Sequence, residues 1–334
     1  MSDELCTHFE RLLADAVTAD TVRRVEAGGS TAALWARFEA SGFLDAMRPE
    51  AQAGAGLTLA AAVPLFIALG RHAVPLPVAQ TLLVRAVLAH EGRVPPPGAL
   101  AIADRVRHGE DGAVHCPGVP WGMVADFVAV ALPTGWQLLP TAAAERTATG
   151  VHGSLRAHLR WAALPHDDET FGQAAWPQAG AALSSALLAG SMERVLQMTL
   201  VHANQREQFG RSIGKFQAIQ HQLAVMAEQV AAARMAAELG CAGAGPWPHA
   251  LRAALAKARS SESAAQVAAI AHAVHGAIGV TAEFELQLHT RRLHEGRADH
   301  GAESHWQRVL GRVLLDAPDA TLPFMLSALI PGTA

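Results

Sequence analysis

Between residues 205 and 218 one helical pattern stops and another begins, and the residues at the break are suited to holding a phosphate-bearing molecule. Arg206 precedes a Phe209-Gly210 break, so its guanidinium sits at a helix end where it can pair with a phosphate. Phe209 offers a flat apolar surface beside a glycine that lets another molecule approach the backbone. Phe216 and Gln217 open the next helix, whose free N–H groups together with the Gln amide suit an adenine or a pyrophosphate. Seen only as two consecutive helices, the same residues also read as ordinary core and surface.

Other constellations are less complete. His272 and His275 have the i, i+3 spacing of two metal ligands on one helix face, but no Asp, Glu or Cys is spaced to complete a set, so no metal is expected. Ser184-Ser185 and the serines at 260, 261 and 263 lack a GxSxG elbow. No GxGxxG follows a strand, which removes a dinucleotide fold of that type. The three cysteines, Cys6, Cys116 and Cys241, are far apart and in no CxxC spacing. Neither a disulfide framework nor a zinc site is suggested, and a reducing cytoplasm fits.

Three regions must position these residues. Residues 1–97 read as helices separated by Gly and Pro, with Leu5, Phe9, Leu12 and Leu13 on one stripe, a helix over Leu57 to Gly70 and another from about Val78 to His90. Residues 98–172 change to short runs, Ala99 to Ile102, Phe127 to Leu132, Trp136 to Leu139 and Leu155 to Trp161, bounded as strands are. They predict a small β domain. Residues 173–334 predict a bundle of four helices, roughly Ala179 to Gln205, Phe216 to Leu239, His249 to His275, and one marked by Trp306, Leu310 and Leu314.

Composition agrees with a mostly α protein. The 334 residues are 51% hydrophobic and 17% charged, with no Tyr, and the Ala and Leu that dominate lose little rotamer entropy in helices. A net charge of −4, with only Lys215 and Lys257 among the 26 basic residues, leaves no field for nucleic acid. The apolar run Leu57 to Leu69 is about a dozen residues where roughly 18 are needed to span a membrane. No span is expected, and the acidic start, Met1-Ser-Asp-Glu-Leu, is unlike a secretory leader.

The order helical region, β domain, four-helix bundle resembles that of acyl-CoA dehydrogenases, and particular residues carry the resemblance. The segment from Arg206 to Ala224 resembles that family's most characteristic signature, and His275-Gly-Ala-Ile-Gly-Val-Thr-Ala-Glu283 resembles its glycine turn. Gly54-Ala-Gly-Leu57 and Leu69 to Pro77 resemble its N-terminal domain. The resemblance implies FAD as cofactor, an acyl-CoA thioester as substrate, electron-transfer flavoprotein as electron acceptor, and a homo- or hetero-oligomer, dimer or tetramer. It also implies that Arg206, Phe209, Phe216 and Gln217, with Gly276 and Gly279, contact an FAD belonging to the neighbouring subunit.

The departures share a direction. The family's chemistry needs a desolvated carboxylate to take the α-proton, yet the family's spacing from Gly279 lands on His300-Gly301, and its alternative position falls near Ser184. Glu295-Gly296 has the right residue types but lies five residues earlier, so Glu295 and His300 stand as candidates for the base, while Asp299 and Glu303 read as solvated charges. Ala273 and Ala277 replace a Gln and a Gly of the family's turn, and the own-subunit flavin contacts of the β domain are missing from Ala99 to Val124. The chain therefore resembles the shorter, catalytically incomplete subunit of heteromeric steroid-type acyl-CoA dehydrogenases. A self-sufficient homo-oligomer with a non-standard base and a non-catalytic scaffold remain as alternatives.

Overall fold

Alanine- and leucine-rich segments become helices and the short punctuated runs become strands in the computed structural model, which describes residues 2–110, 112–163, 170–172, 174–317 and 323–325. The last residues assigned to the bundle, 318–322 and 326–334, lie outside them. The chain divides into two units. The first comprises Met1–Leu65, Val74–Gly180 and Gly243–Pro248, the second Phe66–Ala73, Ala181–Ala242 and His249–Ala334.

In the first unit, α1 (Ser2–Ala16), α2 (Ala19–Glu26) and α3 (Ala32–Ser41) turn inward two or three residues each, Phe9, Leu13 and Ala16, Val22 and Val25, and Leu34 and Phe38. The Phe9 ring packs 4.6 Å from Phe43. Leu59–Arg71 forms α4 and Val78–His90 forms α5. Nearly all of α5 is buried, and it covers the edge of β1 (Leu100–Ile102). Gln80 Oε1 accepts from the Ile102 N–H and Thr81 Oγ1 from the Leu100 N–H, both at 2.9 Å, so an edge that would otherwise recruit another strand is closed by side chains.

Two sheets share the core of the β region. One has the order β1, β4 (Phe127–Leu132), β5 (Gly135–Pro140), with β1 parallel to β4. The other is antiparallel, in the order β2 (Arg107–His108), β3 (Val114–Val119), β7 (Ala157–Trp161), β6 (Glu145–Ala148). Alternate residues Val114, Cys116, Ala157, Leu159 and Trp161 face Val128, Val130 and Leu139 across the sandwich. The short edge strands β2 and β6 carry no apolar alternation, which is why the sequence does not announce them.

The second unit is helical. Its helices are α6 (Trp176–Gln205, begun in the first unit), α7 (Gln217–Gly240), α8 (Ala250–His275), α9 (Leu286–Ala298) and α10 (Glu303–Asp316). The structure thus adds α9 to the four expected. Its sequence is poor in apolar residues, and it buries His289 and Thr290 alongside Leu286, Leu288 and Leu293. Leu188, Met192 and Val195 of α6, Met226 and Val230 of α7, and Val267 and Ala271 of α8 complete that core.

One expectation needs correction. Ala250–Val280, α8 with the 3-10 turn that follows, is long and apolar enough to cross a membrane by length and composition, at a hydropathy of 1.3. A helix apolar on all sides is either buried or a membrane span. Here α8 packs on α7, α9 and α10, and its buried positions include Lys257, Ser260, Ser261 and Ser263. The Lys257 ammonium donates to Ser261 Oγ at 2.8 Å and to the carbonyls of Arg297 and Gly301, each at 3.0 Å.

The end of α4 lies directly on α6. A Cβ at Gly190 would stand 1.9 Å from the Ile67 carbonyl oxygen, and one at Gly70 2.0 Å from that of Leu187. Ser191 Oγ donates to the Gly70 carbonyl at 2.9 Å, and Glu193 pairs with Arg71 at 2.5 Å and Arg234 at 2.6 Å. Since neither backbone has room to retreat, Gly190→Ala is expected to destabilise the protein by about 2 kcal/mol. A urea unfolding midpoint unchanged by that substitution would contradict the contact.

Candidate functional site

The break read between α6 and α7 is a hairpin. Glu207–Gln208 forms β8 and Arg211–Ser212 forms β9, paired antiparallel, and the two-residue turn between them is Phe209-Gly210 with φ of 53° and 77°. Such a turn needs positive φ at both central residues, which suits Gly or Asn. A phenylalanine there costs about 1–2 kcal/mol. Its ring gains little burial in return, being 92% exposed, and meets Phe216 edge-on at 6.2 Å. The Arg211 guanidinium lies 4.2 Å over the Phe216 ring.

Arg206 is exposed at the end of α6, and its backbone N–H and carbonyl bond His202 and Ile213, both at 2.8 Å. Its guanidinium makes no hydrogen bond or ion pair among the described residues. Phe216 occupies the N-cap of α7 without a side-chain cap. The first N–H groups of that helix, at exposed Gln217 and at Ala218, are left for another acceptor.

The glycine turn comes to the same end of the bundle. Ala203, Ile213 and Val274 form a small core with Phe216, Ile219, Leu223 and Ile270 packed against it, joining α6, the hairpin, α7 and the end of α8. Gly276 ends α8 at φ 63°, ψ −145°, a conformation open only to glycine. Gly279 is buried, and a Cβ there would meet His275 at 3.0 Å. Arg206, Phe209, Phe216, Gln217, Gly276 and Gly279 are therefore gathered around one end.

A stacked histidine pair also belongs to this end, and the sequence reading did not assign it there. The His202 and His275 rings lie 4.4 Å apart at 24°. His275 Nδ1 bonds the Ala271 carbonyl at 2.8 Å, while the buried Nε2 has no partner among the described residues. Burial lowers both pKa values, with Arg206 adding for His202; for His275 the Ala271 bond opposes the shift and His202 and His272 reinforce it. The i, i+4 spacing puts His202 beside Arg206, but no spacing along the chain signals its stack on His275. The metal-ligand spacing of His272 and His275 is otherwise used, because His272 Nε2 bonds Thr290 Oγ1 at 2.9 Å.

The base candidates lie elsewhere. Glu295, half-buried on α9, is 3.9 Å from Arg292, and the neighbouring Gly296 abuts Leu188 of α6. Leu188 is about 27 Å along that helix from Arg206 at 1.5 Å per residue. His300 is 3% exposed at φ 51° in the turn to α10, its carbonyl accepting from Trp306 Nε1 at 2.9 Å. Ser184 is buried on α6 and Asp299 is buried before the turn. Burial would raise the Glu303 carboxyl, but Arg297, 2.5 Å away, holds it below its usual range. The structure does not bring Glu295 or His300 to the Arg206 end. Two of the cysteines are unreactive by environment, since burial pushes the Cys116 thiol, beside Asp104, and the Cys241 thiol up to about 12.

Comparison with known proteins bears on the same residues. The family model described as acyl-CoA dehydrogenase, C-terminal domain, matches residues 178–314. The acyl-CoA dehydrogenase IpdE2 of Mycobacterium tuberculosis is 32% identical over 253 residues, 74% of this chain and 75% of that protein. A variant of the Tcur3481-Tcur3483 steroid ACAD superimposes with a TM-score of 0.81 at 25% identity, over 95% of this chain and 99% of that one. PigA with FAD and proline shares the fold, with a TM-score of 0.74 at 17% identity over 94% and 97%.

Two outcomes follow from the geometry. Burial, with Arg194, His72 and Arg292 adding, lowers the His289 pKa to about 3. The unfolded chain then binds the proton more readily, so stability is full above the unfolded pKa near 6.5 and is lost as pH falls toward the folded value. The loss from this group is about 2 kcal/mol between roughly pH 7.5 and roughly pH 5, measured by urea unfolding; His289→Gln should flatten that slope, and an unchanged slope would reject the assignment. Phe209→Gly should stabilise the isolated chain by about 1 kcal/mol, and a thermal midpoint that falls instead would remove the claim of strain.

Proposed function

Because the chain belongs to the acyl-CoA dehydrogenase family, we propose that it serves FAD-dependent α,β-dehydrogenation of an acyl-CoA thioester as the subunit that lends a bundle end to the FAD of a different, catalytically complete chain. The supporting observation is the separation just described. Residues fit to grip a dinucleotide cluster at one end and face outward, whereas the position of the family's carboxylate holds His300. When bound, FAD accepts the hydride that leaves the β-carbon. Arg206 would hold a phosphate of the cofactor, the free N–H groups of α7 with Gln217 its adenosine-diphosphate half, and Phe209 a flat face of it.

Leu200, Val201, Ile278 and Val280 are exposed as Phe209 is, on the two stretches that flank the histidine stack. Exposed apolar groups of this kind suit coverage by a partner subunit. The pairing of two chains in the Tcur3481-Tcur3483 steroid ACAD supports the heteromeric reading and a steroid-type acyl group, and electron-transfer flavoprotein is the proposed acceptor. The organisation into 1–97, 98–172 and 173–334 belongs to the same proposal. One observation favours the self-sufficient alternative, the positive φ of buried His300, since strained backbone collects at active sites.

Expression of the chain alone and beside a catalytically complete family member separates the two. The expected result is colourless protein alone, and a flavin band with acyl-CoA turnover only from the pair. Stoichiometric FAD and turnover by the chain alone would overturn the proposal. In the pair, Arg206→Gln should weaken FAD retention at least tenfold, the loss of about 1.4 kcal/mol of charge-assisted bonding, and retention equal to that of the unaltered pair would reject the phosphate role.

A further inference from the structure

Basic side chains also converge on the outer face of the β2–β3–β7–β6 sheet. Strand register sets Arg107 opposite His115, His115 opposite Arg160, and Arg160 opposite Glu145. One row therefore crosses all four strands. Directly paired residues share a face, and with strands about 4.8 Å apart the two arginines stand about 10 Å from each other with an imidazole between them. Two residues along β7, His158 lies on the same face, opposite Thr147 of β6.

Arg107 and Arg160 each stand opposite His115 and not opposite one another, so two guanidiniums flank one imidazole on this face. Glu145 answers Arg160 at 3.3 Å, with its own side chain 74% exposed, and it is the one carboxylate among the residues lining the cavity over this face. The cavity measures about 470 Å³, within the roughly 300–1,000 Å³ of small-molecule sites. A register shift between Cys116 and Val119 bends β3 along its floor.

We propose that this face binds a phosphate-bearing anion of nucleotide size, with Arg107 and Arg160 paired to its phosphate oxygens and His115, His158 and Thr147 bonding beside them. Arginine's planar fork suits two phosphate oxygens at once. Its residues all belong to the first unit, whereas Arg206 belongs to the second.

Calorimetric titration of the full chain with inorganic pyrophosphate and with adenosine diphosphate, at constant ionic strength, tests it. In an Arg206→Gln background, which removes the phosphate contact proposed for the FAD end, adding Arg107→Gln/Arg160→Gln should weaken binding at least tenfold. Should that double variant fail to fold, Arg107→Gln alone, exposed on an edge strand, gives the same reading. Equal affinity for adenosine diphosphate and pyrophosphate would identify a phosphate site, and tighter adenosine diphosphate a site that also holds the nucleoside. Affinity unchanged by the Arg107 and Arg160 substitutions, lost only with Arg206→Gln, or absent in the unaltered chain would overturn the proposal.

Discussion

The arrangement of the helical unit depends on one ammonium group. Removing Lys257 from water costs several kcal/mol, offset only when its three protons find acceptors, and they find Ser261 Oγ and the carbonyls of Arg297 and Gly301. The lysine is on α8; the carbonyls are at the end of α9 and in the turn to α10. A cation at a helix C-terminus is favoured by the unpaired carbonyls there, so the same contact caps α9 and fastens both later helices to the central one. It also sets where His300 can be. The turn is held from below by Lys257 and through the His300 carbonyl by Trp306.

From that anchor the bundle separates two tasks along α6. At the Leu188 level, the side chains are paired or packed inward, as with Glu295 beside Arg292 and Gly296 against Leu188. At the far end, backbone strain at Phe209, an uncapped helix start and an Arg206 guanidinium without a partner among the described residues coexist. Each is unfavourable in the chain by itself. Strain and unsatisfied polar groups persist at sites where a ligand or partner compensates them, which is the physical reason for reading this end as a borrowed half-site.

The β region shows the same economy in another form. On its inner side Gln80 and Thr81 close the β1 edge and Trp161 Nε1 donates to the Pro140 carbonyl at 2.9 Å. Its outer face gathers Arg107, His115, His158 and Arg160 with Glu145 among the described residues that line the cavity. Alternation along β3 and β7 explains both, because one set of residues must fill the core and the other set is free to specialise.

Several elements were legible from residue types and spacing. Val78–His90 and Phe127–Leu132 have the bounds read from the sequence, since glycine and proline punctuate both. The set proposed to hold the cofactor phosphates could be picked out as neighbours because a helix break, a glycine turn and a helix start are local. α9 was not, because its buried face is partly His and Thr, whose burial depends on what surrounds them. Nor was the membrane-like length of α8, which lysine and serine interrupt in sequence while three acceptors satisfy the lysine in space. The sequence by itself determined most of the helices, the apolar strands, and that no carboxylate stands at the family's usual position. Only the tertiary structure decided that His202 stacks on His275, that the base candidates lie far from Arg206, and that Arg107, His115, Arg160 and Glu145 form one row. Strand register and helix packing create those neighbours, and neither is encoded by the spacing of residues along the chain.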